Sequence, residues 1–343
     1  MLKKPFYTMG IESSCDETAI AIVKDGRTVL SNIISSQIDI FKKYGGVVPE
    51  IASRHHLENI NSVMDEALKV AGITLDDVDL IGVTYGPGLE GALLMGVAHA
   101  KAVAYSKDIP IVGVHHIMGH ISANYIENLD LEPPFTALVT SGGHTELCDI
   151  KGYNECEILG KTRDDAIGEA FDKVARVLEL GYPGGPKVDK LASMGHDTLN
   201  FKRVYLEKGS LDFSFSGIKT QVLNYVNSEK QGGREISKED VAASFTDSVI
   251  DVVKDKTREA IKLRNEDKLV LAGGVAANSH LRRAMNELSN EMGFKLYMPS
   301  LIYCTDNGAM IAVSAYYKYM EFGEDSLELE TKTTQDMKKE LRK

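Results

Sequence analysis

One kind of secondary structure gives way to another within a single stretch, and this change indicates the class of fold. The stretch is Ile109-Pro110-Ile111-Val112-Gly113-Val114-His115-His116-Ile117-Met118-Gly119-His120. Its first half is an apolar run led in by a proline, which predicts a buried strand of a parallel sheet. Past Gly113 the alternation stops and a helical pattern begins, on which Ile121 and Tyr125 lie one turn apart. A strand followed at once by a helix is typical of an α/β protein.

On the predicted helix, His116 and His120 are four residues apart and share one face. Two imidazoles at this spacing can bind one divalent metal, because a ring nitrogen of each reaches the same point beside the helix. Histidines after a strand also commonly cap a helix or face water, and the bare pair favours this simpler interpretation. His115 has no such spacing and is interpreted as structural.

The composition indicates a soluble protein of two domains. The chain has 343 residues, 43% of them hydrophobic and 26% charged, which is enough to bury full-sized cores. Its four cysteines form no Cys-x-x-Cys pair, so we expect reduced thiols. Without an apolar leader or a run long enough to span a bilayer, the sequence predicts a cytoplasmic protein with no membrane association.

The charge balance bears on possible partners. With 39 basic and 50 acidic residues the formal charge is −11, which argues against a protein that coats nucleic acid by itself. A local basic groove or a basic partner protein remains compatible with this balance. Lysines and arginines of the second half could line such a path, although scattered surface charges explain each of them singly: Lys187, Lys190, Lys202, Arg203 and Lys219.

The order strand–turn–strand–strand–helix–strand–helix occurs twice, beginning near Tyr7 and near Phe135. The residues themselves are not repeated closely, so the repeat is architectural. It predicts two α/β halves, 1–130 and 131–343, with a cleft between them and the first turn of each half pointing into it. This is the layout of the actin-like ATPase and sugar-kinase fold. The charged stretch from Glu324 onward is expected to be a solvated tail.

Two glycine-containing turns are candidate nucleotide-binding elements. Ser141-Gly142-Gly143-His144-Thr145 lies between two predicted strands, and Gly273-Gly274-Val275-Ala276-Ala277-Asn278 lies between a strand and a helix. Without Cβ atoms the backbone can approach a phosphate, or an adenine can lie flat against it. A tight hairpin would need the same glycines, and Asn278 could be only a helix N-cap.

Carboxylates near the segment from 165 to 189 could contact a ligand's hydroxyls. Asp165, Glu169 and Asp172 lie together opposite the apolar stripe of a predicted helix, a position that is usually a solvated face. The neighbouring segment 181–189 reads as a stiff Gly/Pro turn that ends in Asp189. Several carboxylates beside such a turn suit ribose or sugar binding.

Asp306 opens the last predicted helix, 306–320, in Cys304-Thr305-Asp306-Asn307-Gly308, and helix capping is its simplest role. If the two halves face one another, Asp306 can reach the cleft from the second half and join His116 and His120. A two-His, one-carboxylate set leaves coordination positions open for substrate and suits iron(II), zinc, manganese or magnesium.

Six motifs occur in an order that resembles the TsaD family, the bacterial tRNA N6-adenosine threonylcarbamoyltransferases, over nearly the whole chain. They are Glu12-Ser13-Ser14-Cys15-Asp16-Glu17-Thr18, His116-Ile117-Met118-Gly119-His120, Ser141-Gly142-Gly143-His144-Thr145, Gly184-Gly185-Pro186, Phe213-Ser214-Phe215-Ser216-Gly217-Ile218-Lys219-Thr220 and Gly273-Gly274-Val275-Ala276-Ala277-Asn278.

The resemblance implies a two-lobed actin-like ATPase fold (the ASKHA, or duplicated RNase H-like, fold) with its active site in the interlobe cleft. It also implies one divalent metal per subunit, iron(II) in preference to zinc, manganese or magnesium, held by His116, His120 and Asp306. The implied substrate contacts are Val139, Thr140, Ser141, Gly142, Gly143, Asp172, Gly185, Asp189 and Asn278.

The family's reaction transfers threonylcarbamoyl from threonylcarbamoyl-AMP to N6 of adenosine 37, in tRNAs that read codons beginning with A. The implied partners are a TsaB-like and a TsaE-like protein. Because the adenine amine must lose a proton, Asp16 or Glu17 in the first turn is our hypothesis for the acceptor.

Two other enzyme classes fit parts of the sequence. A metallopeptidase would use the histidine pair, but a zincin requires His-Glu-x-x-His and Ile117 follows His116 here. An actin-like ATPase or kinase acting on a small molecule would usually carry an Asp-x-Gly first turn. This chain has Glu12-Ser13-Ser14-Cys15-Asp16 at that point.

Overall fold

The computed structural model describes residues 5–335, which divide into two compact units. Within these residues, unit 1 comprises 5–133, 151–156 and 299–335, and unit 2 comprises 134–150 and 157–298. Each unit contains one five-stranded sheet.

The sheet of unit 1 has the order β3-β2-β1-β4-β5. Its strands are β1 (Tyr7–Glu12), β2 (Glu17–Lys24), β3 (Thr28–Ser36), β4 (Leu80–Gly86) and β5 (Ile111–His115). The first three form an antiparallel meander, and β4 and β5 continue the sheet in parallel to β1. The helices are α1 (Ile38–Phe41), α2 (Pro49–Ala71), α3 (Glu90–Lys107), α4 (His116–Ser122), α5 (Asn124–Glu127), α11 (Leu301–Cys304) and α12 (Gly308–Phe322).

Unit 2 repeats this topology, since its sheet has the order β10-β9-β6-β7-β8. Its strands are β6 (Phe135–Thr140), β7 (Thr145–Gly152), β8 (Glu155–Lys161), β9 (Lys268–Ala272) and β10 (Lys295–Tyr297). Its helices are α6 (Ile167–Val177), α7 (Gly185–Ala192), α8 (Ser216–Gln231), α9 (Lys238–Arg264) and α10 (Ser279–Met292). The predicted α/β class and the architectural duplication are therefore confirmed.

Helices cover both faces of the unit 1 sheet, which explains why its central strands are buried along nearly their whole length. Successive side chains of a strand point to opposite faces. Ile81 accordingly joins the core made with α2 and α3, whereas Leu80 joins the core that contains Met310 of α12. At Gly10 of β1 the backbone of α12 comes so close that a Cβ would lie 2.1 Å from the Gly308 carbonyl oxygen.

The close packing of α12 on β1 and β4 changes the domain boundary from the one that the sequence predicts. Residues 299–335 belong to unit 1, whereas the sequence boundary at 131 assigns them to the second half. The end of the chain crosses back to the sheet that its first 130 residues build, a contact that no local pattern indicates.

Three further local predictions differ from the structure. Residues 185–189, expected as the end of a stiff turn over 181–189, belong instead to α7, and α8 has no counterpart in the prediction. Residues 324–335 are mostly exposed, as expected of a solvated tail, but the segment is also held against unit 1. The Asp325 carboxylate accepts from the Gly113 amide at 2.8 Å, Leu329 packs against the unit 1 core, and the Lys332 amide donates to the Tyr85 carbonyl at 2.8 Å. Residues 336–343, also part of that prediction, lie outside the described residues.

No helix among residues 5–335 combines the length and the apolar character needed to cross a bilayer.

Candidate metal centre and nucleotide-binding residues

The histidine pair lies on a helix that begins directly after a buried strand. β5 ends at His115, whose side chain caps α4 by accepting from the Ile117 amide at 3.3 Å. This cap fits the structural role predicted for His115. His116 and His120 follow on α4 with ring centroids 4.7 Å apart, so the i, i+4 spacing does place both imidazoles together.

Asp306 reaches both imidazoles from the residue before α12's own N-cap. That cap is Asn307, whose side chain accepts from the Met310 amide at 3.0 Å, so Asp306 is not the capping residue. Asp306 Oδ1 lies 3.1 Å from His120 Nε2 and 3.6 Å from His116 Nε2. All three ligands belong to unit 1, which corrects the expectation that Asp306 would come from the second half.

These three side chains fit a divalent metal ion. One donor atom from each lies within 4.8 Å of the others, a spacing that a single ion can bridge. His120 is 1% exposed, and although Asp306 Oδ1 lies 3.1 Å from its Nε2, neither ring nitrogen has a partner in hydrogen-bonding geometry among the described residues. Because a buried polar atom without a partner costs free energy, a metal ion would satisfy a nitrogen that the protein leaves unsatisfied.

A buried carboxylate holds His116 from behind. Glu12, at the end of β1, is completely buried and accepts from the Ser14 amide at 2.5 Å and the Thr84 hydroxyl at 2.6 Å. Its Oε2 also lies 3.1 Å from His116 Nδ1. Since Nδ1 is engaged there, Nε2 is the nitrogen that faces Asp306. The sequence offers one weak signal for this role, a carboxylate at the end of an otherwise apolar strand.

Charge in the site shifts the pKa of both partners. Burial lowers the pKa of His116, but the nearby carboxylates of Asp306 and Glu12 outweigh it and raise that pKa to about 9. Burial raises the pKa of Glu12, but the His116 charge and hydrogen bond bring it below the ordinary value.

The first turn, with Asp16 and Glu17, lies within electrostatic reach of the same site. Burial, followed by the charges of Asp306 and Asp16, raises the pKa of Glu17 to about 10. His56 of α2 holds this turn, with Nδ1 2.7 Å from the Thr18 hydroxyl and Nε2 2.9 Å from the Cys15 carbonyl oxygen. Glu17 therefore lies close enough to Asp306 for the two charges to interact, and Asp16 is its neighbour in the same turn.

The predicted substrate residues are all in unit 2, and two of them, Gly142 and Gly143 in the β6–β7 turn, are exposed. Val139 and Thr140 are buried in β6, so their side chains are closed to a ligand. A Cβ added at Gly142 or Gly143 would meet no atom within 4 Å. The turn thus leaves room for a ligand against bare backbone, as the glycines predict.

The other predicted substrate residues are fixed by hydrogen bonds within unit 2. Asp172 of α6 accepts from the amides of Gly184 at 2.8 Å and Gly185 at 3.3 Å. Asp189 lies on α7 rather than in a turn, and it accepts from the Ser279 amide and hydroxyl, each at 3.0 Å. Asn278 caps α10 by accepting from the Leu281 amide at 2.9 Å, as its simpler interpretation states.

Most of the expected basic path is engaged within unit 2. Lys219 pairs with Asp165 at 2.7 Å, Arg203 pairs with Asp197 at 2.8 Å, and Lys187 donates to the Leu180 carbonyl at 2.7 Å. These three cations form intramolecular contacts, which weakens the case for a nucleic-acid-binding surface at this place.

Solved structures of similar shape support the fold. Full-length HypF in its phosphate- and nucleotide-bound form matches with a TM-score of 0.62 at 16% identity, over 95% of this chain and 48% of that one. Component A of (R)-2-hydroxyglutaryl-CoA dehydratase from Acidaminococcus fermentans matches with a TM-score of 0.54 at 17% identity, over 92% and 99% of the two chains. At these identities the likeness shows the fold alone.

Sequence relatives are much closer. A protein of Clostridium perfringens named tRNA N6-adenosine threonylcarbamoyltransferase is 55% identical over 325 residues, 94% of this chain and 96% of the relative. One of the same name from Clostridioides difficile is 56% identical over 314 residues, 91% and 93% of the two chains. The family model described as "TsaD: tRNA N6-adenosine threonylcarbamoyltransferase" matches residues 28–313. The chain therefore belongs to the TsaD family of tRNA N6-adenosine threonylcarbamoyltransferases.

Proposed function

We propose that this chain transfers the threonylcarbamoyl group of threonylcarbamoyl-AMP to N6 of adenosine 37, in tRNAs that read codons beginning with A. The observation that carries the proposal is the convergence of His116, His120 and Asp306 in a chain of this family. The family match names the reaction, and the three side chains provide a candidate metal site at which it could take place.

The three side chains would hold one divalent metal ion per chain. Two imidazole nitrogens and one carboxylate oxygen form the donor set that iron(II) favours in open sites, so we propose iron(II) ahead of zinc, manganese or magnesium. When bound, such an ion supplies a Lewis acid that polarises a carbonyl and offsets negative charge on a leaving group.

The AMP part of the donor would bind to unit 2. The open backbone of Ser141, Gly142 and Gly143 is suited to phosphate oxygens, because amides in a glycine turn can point at an anion together. Asp172 and Asp189 would accept from the ribose hydroxyls, and Gly185 leaves space beside them. The backbone of Val139 and Thr140 and the side chain of Asn278 would complete this surface.

In the reaction, the N6 nitrogen forms a bond to the carbamoyl carbon, the bond from that carbon to the phosphate oxygen breaks, and AMP leaves with the electron pair. The nitrogen also loses a proton. An exocyclic adenine amine is a poor nucleophile. Holding it against the carbonyl carbon should therefore account for much of the acceleration of the transfer. Asp16 or Glu17 would accept the proton, and Asp16 is the better candidate because a Glu17 carboxyl with a pKa of about 10 is protonated near neutral pH.

Single-turnover transfer by Asp16→Asn and Glu17→Gln tests the proton acceptor. Losing a general base typically slows the reaction by about 10²- to 10⁴-fold, and we expect this in one of the two variants. Near-normal rates in both would remove the assignment without touching the rest of the proposal.

One assay tests the function against its alternatives. Purified protein is incubated with threonylcarbamoyl-AMP, unmodified tRNA and the partner proteins, and is scored for modified adenosine and for peptide cleavage. We expect modified adenosine and no cleavage. A metallopeptidase is disfavoured because Ile117, 1% exposed, stands where a zincin carries its glutamate. Cleavage without modification would reverse this conclusion.

We also propose a TsaB-like and a TsaE-like partner and a cytoplasmic location. The adjacent helices α2 and α3 expose Leu57 and Leu94, 64% and 50% exposed, which is compatible with a protein-binding surface. No disulfide joins the four cysteines, all of which lie among the described residues, and this is compatible with a reducing compartment.

A further inference from the structure

Between α1 and α2 the chain exposes the run Lys42-Lys43-Tyr44-Gly45-Gly46, which we call the 42–46 loop. Tyr44 is 59% exposed. Lys42 pairs only with the exposed Asp39, and Lys43 has no acidic partner within salt-bridge distance among the described residues. In a chain with a net charge of −11, the loop thus places an exposed aromatic ring beside two lysines.

The loop displays Tyr44 from a fixed turn. Phe41, just before it, is completely buried and anchors α1 in the unit 1 core. The amides of Tyr44 and Gly45 both donate to the Phe41 carbonyl oxygen at 3.0 Å. Gly45 has a φ of 72°, a conformation that glycine adopts without strain and that closes the turn. The ring is thus held outward on an anchored backbone, which limits the entropy lost on binding.

The segment that leads into the 42–46 loop begins next to the candidate proton acceptors. The Gln37 amide donates to the Asp16 carbonyl at 3.0 Å, and the Ser36 hydroxyl donates to Glu17 at 3.1 Å. Tyr44 is seven positions after Gln37, so the two Cα atoms are at most about 25 Å apart. Tyr44 therefore lies within about this distance of the turn that holds Asp16 and Glu17.

An aromatic ring that stacks on a base, flanked by cations for the phosphates, is the combination that binds single-stranded nucleic acid. We propose that the 42–46 loop binds the single-stranded tRNA segment around the target adenosine, with Tyr44 stacked on a nucleobase and Lys43 beside a phosphate. This inference rests on the proposed function, since it assumes a tRNA substrate. Lys187, Arg203 and Lys219 are already paired within unit 2. A tRNA would therefore need contacts elsewhere, and the 42–46 loop of unit 1 offers them.

The test is equilibrium binding of unmodified tRNA to the chain assembled with its partner proteins, measured from 50 to 200 mM salt. We expect Tyr44→Ala to weaken binding about 10- to 100-fold, the range that follows from losing one base–aromatic stack, and Tyr44→Phe to bind normally. Lys43→Gln should weaken binding and reduce the slope of log affinity against log salt by about 0.7. Phe322→Ala, another exposed aromatic at 51%, and the exposed Lys208→Gln are the matched controls and should bind as the unchanged chain does.

The outcomes separate this inference from the proposed function. If Tyr44→Ala binds tRNA normally while the unchanged chain modifies it, the loop assignment is wrong and the function stands. An equal loss in Tyr44→Phe would refute stacking. Loss of a partner protein from Tyr44→Ala, with tRNA affinity unchanged, would make the loop a protein contact instead. If the unchanged chain neither binds nor modifies tRNA, the function fails and the loop assignment with it.

Discussion

Glu12 is completely buried, and its carboxylate engages the ring nitrogen of His116 that faces away from Asp306. Such a partner fixes the orientation of a metal-binding imidazole and raises its basicity. We expect Glu12→Gln to lower metal affinity about 10- to 100-fold, measured by anaerobic titration of the metal-free protein with iron(II) or zinc.

The matched control is Glu50→Gln, an exposed residue paired with Arg54 on α2. It should bind metal as tightly as the unchanged chain does. Equal affinities in Glu12→Gln and Glu50→Gln, with the fold of both intact by circular dichroism, would show that Glu12 does not support the metal ligand.

At the scale of single residues, the sequence predicted the histidine pair but not the contact of Glu12 with His116. His116 and His120 are four residues apart on one helix, so their proximity follows from local geometry. Glu12 meets Thr84, 72 residues away, only because β1 and β4 pair in parallel, and meets His116 only because α4 follows the next strand. Such contacts depend on strand order, which the residue pattern alone does not specify.

Among the elements, α7 and α10 are held together by one carboxylate. Asp189 of α7 accepts from the Ser279 amide and hydroxyl at the start of α10, and from His280 Nδ1 at 2.7 Å. Burial raises the pKa of Asp189, but the hydrogen bonds from His280 and Ser279 outweigh it and lower that pKa below its ordinary value. Asp189 therefore has a structural role in addition to its proposed ribose contact.

This lowered pKa gives a pH-dependent contribution to stability. A carboxyl whose pKa is lower in the folded protein stabilises it above the unfolded value of about 3.9, and the contribution disappears as pH falls through the folded value. We expect Asp189→Asn to lower the free energy of unfolding by about 1–3 kcal/mol at pH 7, and by progressively less below pH 4. Urea unfolding of both proteins between pH 3 and 7 measures this difference, and a difference independent of pH would contradict it.

The elements that the sequence missed have physical explanations. In α7, Gly185 and Pro186 read as turn residues, but proline is favoured in the first turn of a helix, where its missing amide donor is not needed. In α8 only Ile218, Val222 and Val226 are buried, so the apolar stripe is narrow within a polar sequence. Long helices such as α2 and α9 are easier to predict, because their apolar residues recur over many turns.

For the whole molecule, the duplicated topology follows from the order of predicted elements, whereas the domain boundary does not. Strands and helices in the same order twice give two sheets with matching strand order. The return of 299–335 to unit 1 depends on the packing of α12 and of the segment after it, which are far in sequence from that sheet.

The segment after α12 should contribute to the stability of unit 1. Leu329 is partly buried in the core of that unit, next to Gly113, whereas Leu327 is 43% exposed. We expect Leu329→Ala to lower the free energy of unfolding by about 1–2 kcal/mol, less than for a fully buried leucine, and Leu327→Ala to have little effect. Chemical denaturation of the two variants compares them, and equal effects would show that the segment adds no core packing.

The central claim is that His116, His120 and Asp306 form one metal centre, and the metal content of anaerobically purified protein tests it most directly. We predict one divalent ion per chain in the unchanged protein and in the exposed control His196→Ala, and far less than one in His116→Ala, His120→Ala and Asp306→Ala. A full complement of metal in all three variants, with their fold intact, would contradict the account.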